Sequence, residues 1–244
     1  MRSSWLIVAA VLVFVGTLLT RLPASWLLPL LPAQVHCSAA DGSLWHGHCA
    51  DLSVAQLHVG DTRWTLAAPP LLLGRLALQL AVDGDDFKGS GDIALGFGGH
   101  LQARNVHAEL ALARLQLPLP ADWTGRATLE LRQATLEHSR LQTLDGELRI
   151  LDLQQQNPAV ALGDYALRFD PARNTGGHFT GQLRDLQGPL SVSATLGFNS
   201  DLAWQIDGLV GARGEIPDDM RQVLQLMGEP DASGRYHLAA SGTM

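Results

Sequence analysis

Apolar residues follow two different rules along this chain. Near the amino terminus they are contiguous: Trp5–Leu19 reads WLIVAAVLVFVGTLL, and no charged residue occurs from Ser3 to Thr20. Coiled as a helix at about 1.5 Å per residue, such a stretch spans about 27 Å, close to the hydrocarbon core of a bilayer. Trp5, Leu6, Ile7, Val8, Val11, Leu12, Val13, Phe14, Val15, Leu18 and Leu19 would then form a membrane anchor. From residue 34 onward the apolar residues alternate instead. Leu76, Leu78, Leu80 and Val82 alternate with small or polar neighbours, and Leu190, Val192, Ala194, Leu196 and Phe198 do so against Ser191, Ser193 and Thr195. Ala127, Leu129 and Leu131 share a face, as do Tyr165, Leu167 and Phe169, and near the end Tyr236, Leu238 and Ala240. Period two is the signature of half-buried strands.

Two phase slips interrupt the alternation: Leu110 and Leu112 give way to Leu115 and Leu117, and Leu148 and Ile150 to Leu151 and Leu153. A one-residue slip predicts a bulge or bend, a source of sheet curvature. Glycines at 91, 125, 146, 163, 181 and 234 each precede an alternating run, which predicts strands opening at glycine in an irregular meander. One segment breaks the pattern. Ile216-Pro217-Asp218-Asp219 leads into Met220, Val223, Leu224 and Met227 at helical spacing, stopped by Gly228 and Pro230, which predicts one short helix packed on the sheet. The expected fold is all-β: an amino-terminal transmembrane helix, then an elongated, strongly curved antiparallel sheet or partial β-barrel with one short helix near the carboxy terminus.

The apolar run could be a cleaved signal peptide or an uncleaved anchor. Signal-peptide cores usually extend about 7–15 residues before a small-x-small cleavage site, whereas here Arg21, Leu22 and Pro23 follow the run. The anchor is the expectation. Pro23, Pro29 and Pro32 stop the helix, so residues 1–21 are read as cytoplasmic tip and span, 22–33 as a Pro-rich interfacial linker around Trp26, with a core-packing linker as the alternative, and 34–244 as a periplasmic β-rich domain. Arg2 and Arg21 nearly balance the flanking charge; the cytoplasmic placement of the amino terminus rests on the long domain that follows.

Charge narrows the partners. The 244 residues carry 17 basic and 24 acidic side chains, a formal −7, which provides no basic field for nucleic acid. Cys37 and Cys49 are the only cysteines. In a hairpin turning at Asp41-Gly42-Ser43-Leu44, with Val35–Ala39 opposite Trp45–Asp51, positions that sum to 86 face one another, so these two would meet as a structural disulfide. A pair of free thiols is the alternative. His36, His46, His48 and His58 lie nearby, but His46 and His48 project opposite to Cys49 in a regular strand, and no metal or other cofactor is expected. Catalytic signatures are also missing: Gly89-Ser90-Gly91 lacks the nucleophile elbow, and no dinucleotide, P-loop or zinc-protease motif occurs. Asp85-Asp86 and Asp218-Asp219 fall at a predicted turn and helix start. The chain is not expected to be an enzyme.

Gly42-Ser43-Leu44-Trp45-His46-Gly47, at the first strand after a single span, resembles the G-T-L-W-x-G element of the type II secretion system protein N family, with Ser43 in place of threonine. Leu226-Met227-Gly228-Glu229-Pro230-Asp231-Ala232-Ser233-Gly234-Arg235-Tyr236-His237-Leu238 resembles that family's closing L-x-G-x-x-D-x-x-G-R-Y-x-L segment, and Trp64 through Gly74 is compatible with its W-x-L…P…L-x-G stretch. The motif residues are thus Gly42, Leu44, Trp45, Gly47, Gly228, Asp231, Gly234, Arg235, Tyr236 and Leu238. The resemblance implies a single-pass component of the bacterial cell inner membrane, its amino terminus cytoplasmic and its β-domain periplasmic, that assists export of folded proteins across the outer membrane. It also implies as partners the inner-membrane clamp protein and the outer-membrane secretin. A periplasmic lipid-binding or lipid-bridging protein, with acyl chains against an apolar β-groove, is the alternative.

If the anchor is retained, mass spectrometry of the membrane-extracted protein will recover residues 1–20; a mature chain starting near residue 34 would exclude it.

Overall fold

The computed structural model describes residues 22–25, 34–54, 57–71, 74–114, 123–138, 140–157, 159–174, 177–199 and 203–243. The expected anchor, most of the linker, Leu115 and Leu117 lie outside the described residues. Among those described, no helix is long and apolar enough to cross a membrane. The chain forms two compact units, residues 1–94 and 95–244.

In the first unit the strands are β1 (Val35–His36), β2 (Ala39–Gly42), β3 (His46–Val54), β4 (Leu57–Ala67), β5 (Arg75–Asp83) and β6 (Phe87–Gly96), with one helical turn, α1 (Ala68–Leu71), after β4. β1 and β2 both pair with β3, which continues to β4, β5 and β6. Leu66 and Leu78 stand opposite one another, as do Trp64 and Leu80, so the alternation places these side chains on one face. Asp85-Asp86 occupies the bend between β5 and β6, as expected.

The second unit is an antiparallel meander of β7 (His100–Ala111), β8 (Trp123–Glu137), β9 (Arg140–Gln156), β10 (Ala159–Phe169), β11 (His178–Gln187), β12 (Leu190–Asn199), β13 (Ala203–Ala212) and β14 (Tyr236–Thr243), each paired with the next. Helix α2 (Asp218–Leu226) intervenes before β14. Met220 and Leu224 of α2 pack with Val192, Val210 and Ile216, flanked by Tyr165, Tyr236 and Leu238. Val223 and Met227, on the same predicted stripe, stay largely exposed. No side chain caps the start of α2; Arg221 closes the first turn instead, donating to Asp218 at 2.7 Å and to the Ile216 carbonyl at 3.2 Å. A second cluster joins Leu112, Ala127 and Leu153. The buried Asp185 carboxylate pairs with Arg213 at 2.6 Å and accepts from the Val192 N–H at 2.7 Å, tying β11 to β12 and to the end of β13.

One sequence expectation changes. Most of the glycines expected to open strands lie inside them, because β6 begins at Phe87, β8 at Trp123, β9 at Arg140, β10 at Ala159 and β11 at His178. There, glycine admits a neighbour rather than starting a strand: a Cβ at Gly181 would sit 2.6 Å from the Phe169 ring on β10, and one at Gly146 would sit 2.8 Å from the Glu130 carbonyl oxygen. At the first slip β7 gives way to a 3-10 turn, Leu112–Arg114, and the residues beyond it that complete the slip lie outside the described ones.

The slip after Ile150 is a bulge, and it is built twice in the molecule. Asp152 takes a left-handed φ of 53°, and its N–H donates to Asp164 Oδ1 at 2.7 Å. In the first unit Asp51 has φ 59°, and its N–H donates to Asp61 Oδ1 at 3.2 Å. In both units the accepting aspartate follows a glycine of positive φ, Gly163 at 97° and Gly60 at 95°. Both ladders also shift register here. A Cβ on Gly163 would lie 2.2 Å from the Gln187 carbonyl oxygen, and one on Gly60 would lie 2.5 Å from the Gly84 Cα. The device therefore needs an aspartate, which tolerates the left-handed region, opposite a glycine that lets a third strand close in.

Gly163→Ala should therefore lower unfolding stability by more than about 3 kcal/mol, through both positive φ and backbone overlap. Gly214→Ala, also at positive φ but with open space around it, should cost about 1–2 kcal/mol. Urea unfolding followed by circular dichroism separates the two.

Candidate functional site

The motif hairpin of the first unit is explained by its neighbours. Gly42 and Gly47 face each other at the ends of β2 and β3, and the turn closes through Ser43 N–H to the His46 carbonyl at 2.9 Å, while His46 N–H donates back to Ser43 Oγ at 3.2 Å. Serine at 43 thus supplies the hydroxyl that the usual threonine would. Across β3–β4, Gly47 opposes Trp64. A Cβ at Gly47 would sit 2.1 Å from the Trp64 ring, so glycine there makes room for the indole. That indole N–H donates to the Leu44 carbonyl at 3.1 Å, and the Trp45 carbonyl accepts from Leu66 N–H at 2.7 Å.

The stem of the expected anchor meets the same hairpin. Leu44 N–H donates to the Leu22 carbonyl at 2.9 Å, and Pro23 bridges to Ser43. Ala24, next along, is buried. Beneath the hairpin, Leu44, Trp64, Leu66, Leu76, Leu78 and Leu80 line an apolar groove of about 310 Å³ with Ala24 and the two cysteines. Thr62 also lines it; its Oγ1 is buried and has no hydrogen-bond partner.

Cys37 and Cys49 are disulfide-bonded, with Cα atoms 5.8 Å apart. The expected register is wrong, however. Opposed positions on β2 and β3 sum to 89, and Cys49 faces Ala40. Cys37 reaches it from the break between β1 and β2, where the chain leaves the ladder and only Ser38 N–H still bonds the Ala50 carbonyl, at 3.2 Å. Of the four nearby histidines, His58 pairs with Asp51, and His48 lies 3.9 Å from Asp61. Among the described residues no group of three or more metal-ligating side chains comes together.

The closing motif belongs to the second unit. Gly228 follows α2, and Asp231 organises the turn into β14. Its carboxylate accepts from Ser233 Oγ at 2.6 Å, Ser233 N–H at 2.8 Å and Arg235 N–H at 2.9 Å. Asp231 N–H reaches the Arg235 carbonyl at 2.7 Å, and Gly234 N–H the Asp231 carbonyl at 2.9 Å. The Ser233 hydroxyl above all, then the Arg235 N–H, holds the Asp231 carboxyl at about 2. Arg235 lies over Gly211, while Tyr236 and Leu238 flank the α2 cluster. Each motif thus serves its own unit, and neither brings catalytic groups together.

Sequence reasoning missed three participants: Trp64 as the partner of Gly47, the orphaned hydroxyl of Thr62, and an aromatic recess of about 580 Å³ around Phe179, Phe198 and Trp204. The first was recoverable. Val54 stands opposite Leu57, so positions summing to 111 face one another, which puts 64 opposite 47.

A family model described as type II secretion system (T2SS), protein N, matches residues 33–239. Among curated proteins, the type II secretion system protein N of Aeromonas hydrophila is 29% identical, over 99% of both chains. Its namesake from Vibrio cholerae serotype O1 is 24% identical over 95% of both, and that of Pectobacterium carotovorum 23% identical over 97% of this chain and 96% of its own. No solved structure gives a significant match.

The Asp231 turn has a pH signature. Its folded carboxyl lies below the ordinary 3.8, so its contribution is complete above that value and is lost as pH falls toward about 2. Amide exchange at Ser233 and Arg235 should rise through that window beyond the intrinsic pH effect, and Asp231→Asn should abolish the pH step.

Proposed function

The chain belongs to the type II secretion system protein N family, and from that premise we propose that it is a non-catalytic, inner-membrane-anchored component of the export machinery. It assists passage of folded proteins across the outer membrane by protein–protein contacts in the periplasm. The amino terminus is cytoplasmic, residues 3–20 span the membrane, and residues 34–244 form the periplasmic region. The Cys37–Cys49 disulfide supports an oxidising compartment. The inner-membrane clamp protein and the outer-membrane secretin are the proposed neighbours.

One observation carries the contact mechanism. Among the described residues β14 pairs with β13 alone, which leaves a row of backbone donors and acceptors along one edge for an added strand. Ala239 and Ser241 on that strand are exposed. The lipid-holding alternative has the apolar groove of the first unit in its favour and is compatible with the same machinery.

A photocrosslinking residue placed at Ala239 or Ser241 should, in secreting cells, trap another secretion component. The same residue at exposed Asp83 on β5 should trap less of it. Equal trapping from both strands, or none from β14, would reject the edge as the contact.

A further inference from the structure

Several features invite a ligand. Phe97 stands exposed at the β6–β7 turn, Leu226 and Val223 form an uncovered stripe on α2, and the aromatic recess at Trp204 is open; nothing in the structure says what covers them. The groove of the first unit differs, because its chemistry and its position both point to one occupant.

Its chemistry comes first. The walls are aliphatic apart from the Trp64 indole and the disulfide, and the indole N–H is already committed to the Leu44 carbonyl. The one hydroxyl among the lining residues, Thr62 Oγ1, is closed off from the groove, so the surface offered is apolar throughout. A recess of about 310 Å³ falls at the low end of the range of small-molecule sites, roughly 300–1,000 Å³. A hydrocarbon chain fits that surface.

Position supplies the second argument. Leu22 and Pro23, the first described residues after the apolar run, are stitched to the hairpin that lines the groove, through the Leu22–Leu44 hydrogen bond and the Pro23–Ser43 bridge. Ala24 is itself part of the wall. A groove built on the stem of a membrane anchor is held at the bilayer surface, since only a residue or two separates them at no more than about 3.6 Å each.

We infer that this groove takes one acyl chain of a phospholipid from the leaflet where the anchor emerges. The inference rests on the anchor reading and goes beyond the secretion role. An acyl chain seated there fixes the first unit against the membrane, so that the tether and the groove together set its height and tilt.

The test uses the full chain reconstituted into phosphatidylethanolamine–phosphatidylglycerol vesicles doped with phosphatidylethanolamine carrying a diazirine on one acyl chain, irradiated and mapped by mass spectrometry. Label is expected on peptides covering residues 62–66 and 76–80 as well as on residues 3–20. Ala40→Phe and Leu78→Trp, which fill the groove from opposite walls, should each lower label on 62–80 at least tenfold without changing label on 3–20. Circular dichroism and a urea-unfolding midpoint close to those of the parent chain show that the variants have folded. Label confined to 3–20, or undiminished in both folded variants, would overturn the groove while leaving the anchor standing. Label on neither segment would overturn the anchor and the groove together. None of these outcomes depends on other secretion components, which the vesicles lack.

Discussion

Register is the constraint on which both units depend. With side chains alternating along every strand, a ladder that slipped by one residue would turn each apolar face outward. The molecule nevertheless needs bends, and it makes two of them with the same parts: an aspartate in the left-handed region, a second aspartate accepting its N–H, and a glycine that admits the strand beyond. Because the freed backbone donor is satisfied within the bulge, the ladder resumes on the far side. Leu148 with Leu167 before the bend and Gln155 with Val160 after it remain opposed. The Trp64–Gly47 and Phe169–Gly181 pairs follow the same logic on a smaller scale, since an aromatic ring covers the place where its partner strand carries no side chain.

Much of this was legible in the sequence because period two is a local signal. The alternation at residues 76–82, 127–131 and 165–169 gave strand, face and antiparallel meander, and the slip after Ile150 marked the bulge. What stayed hidden depends on which strand lies opposite. Gly181 reads as a strand start until Phe169 is seen across from it. The cysteine pairing was right for an incomplete reason: the ladder register places Ala40 opposite Cys49, and the bond forms only because the chain breaks step at residues 37 and 38. On α2, helical spacing could not distinguish Met220 and Leu224, which are buried, from Val223 and Met227, which are not.

The motif segments follow the same division. Their turn residues can be rationalised locally, as with Asp231 gathering the N–H groups of Ser233 and Arg235. Gly47 cannot, because its reason is an indole 17 positions away. Thr62 reads as an ordinary polar strand residue, and only the lack of a partner for its buried hydroxyl singles it out. Such a residue is visible only when the neighbours on both sides are known.

The stitching of Leu22 to Leu44 also has a mechanical meaning. Tension applied through the stem would reach the Leu22–Leu44 hydrogen bond and the Pro23–Ser43 bridge first, and then β1, which holds β3 by the short Val35–Val54 and His36–Ser53 pairing. These contacts open one at a time, as in unzipping. The next point along the chain is Cys37, covalently fixed to Cys49, and there the peeling stops. The disulfide therefore acts as a force stop: once the stem has yielded, load passes straight from Cys37 to Cys49 and bypasses residues 38–48, β2 and the hairpin turn among them.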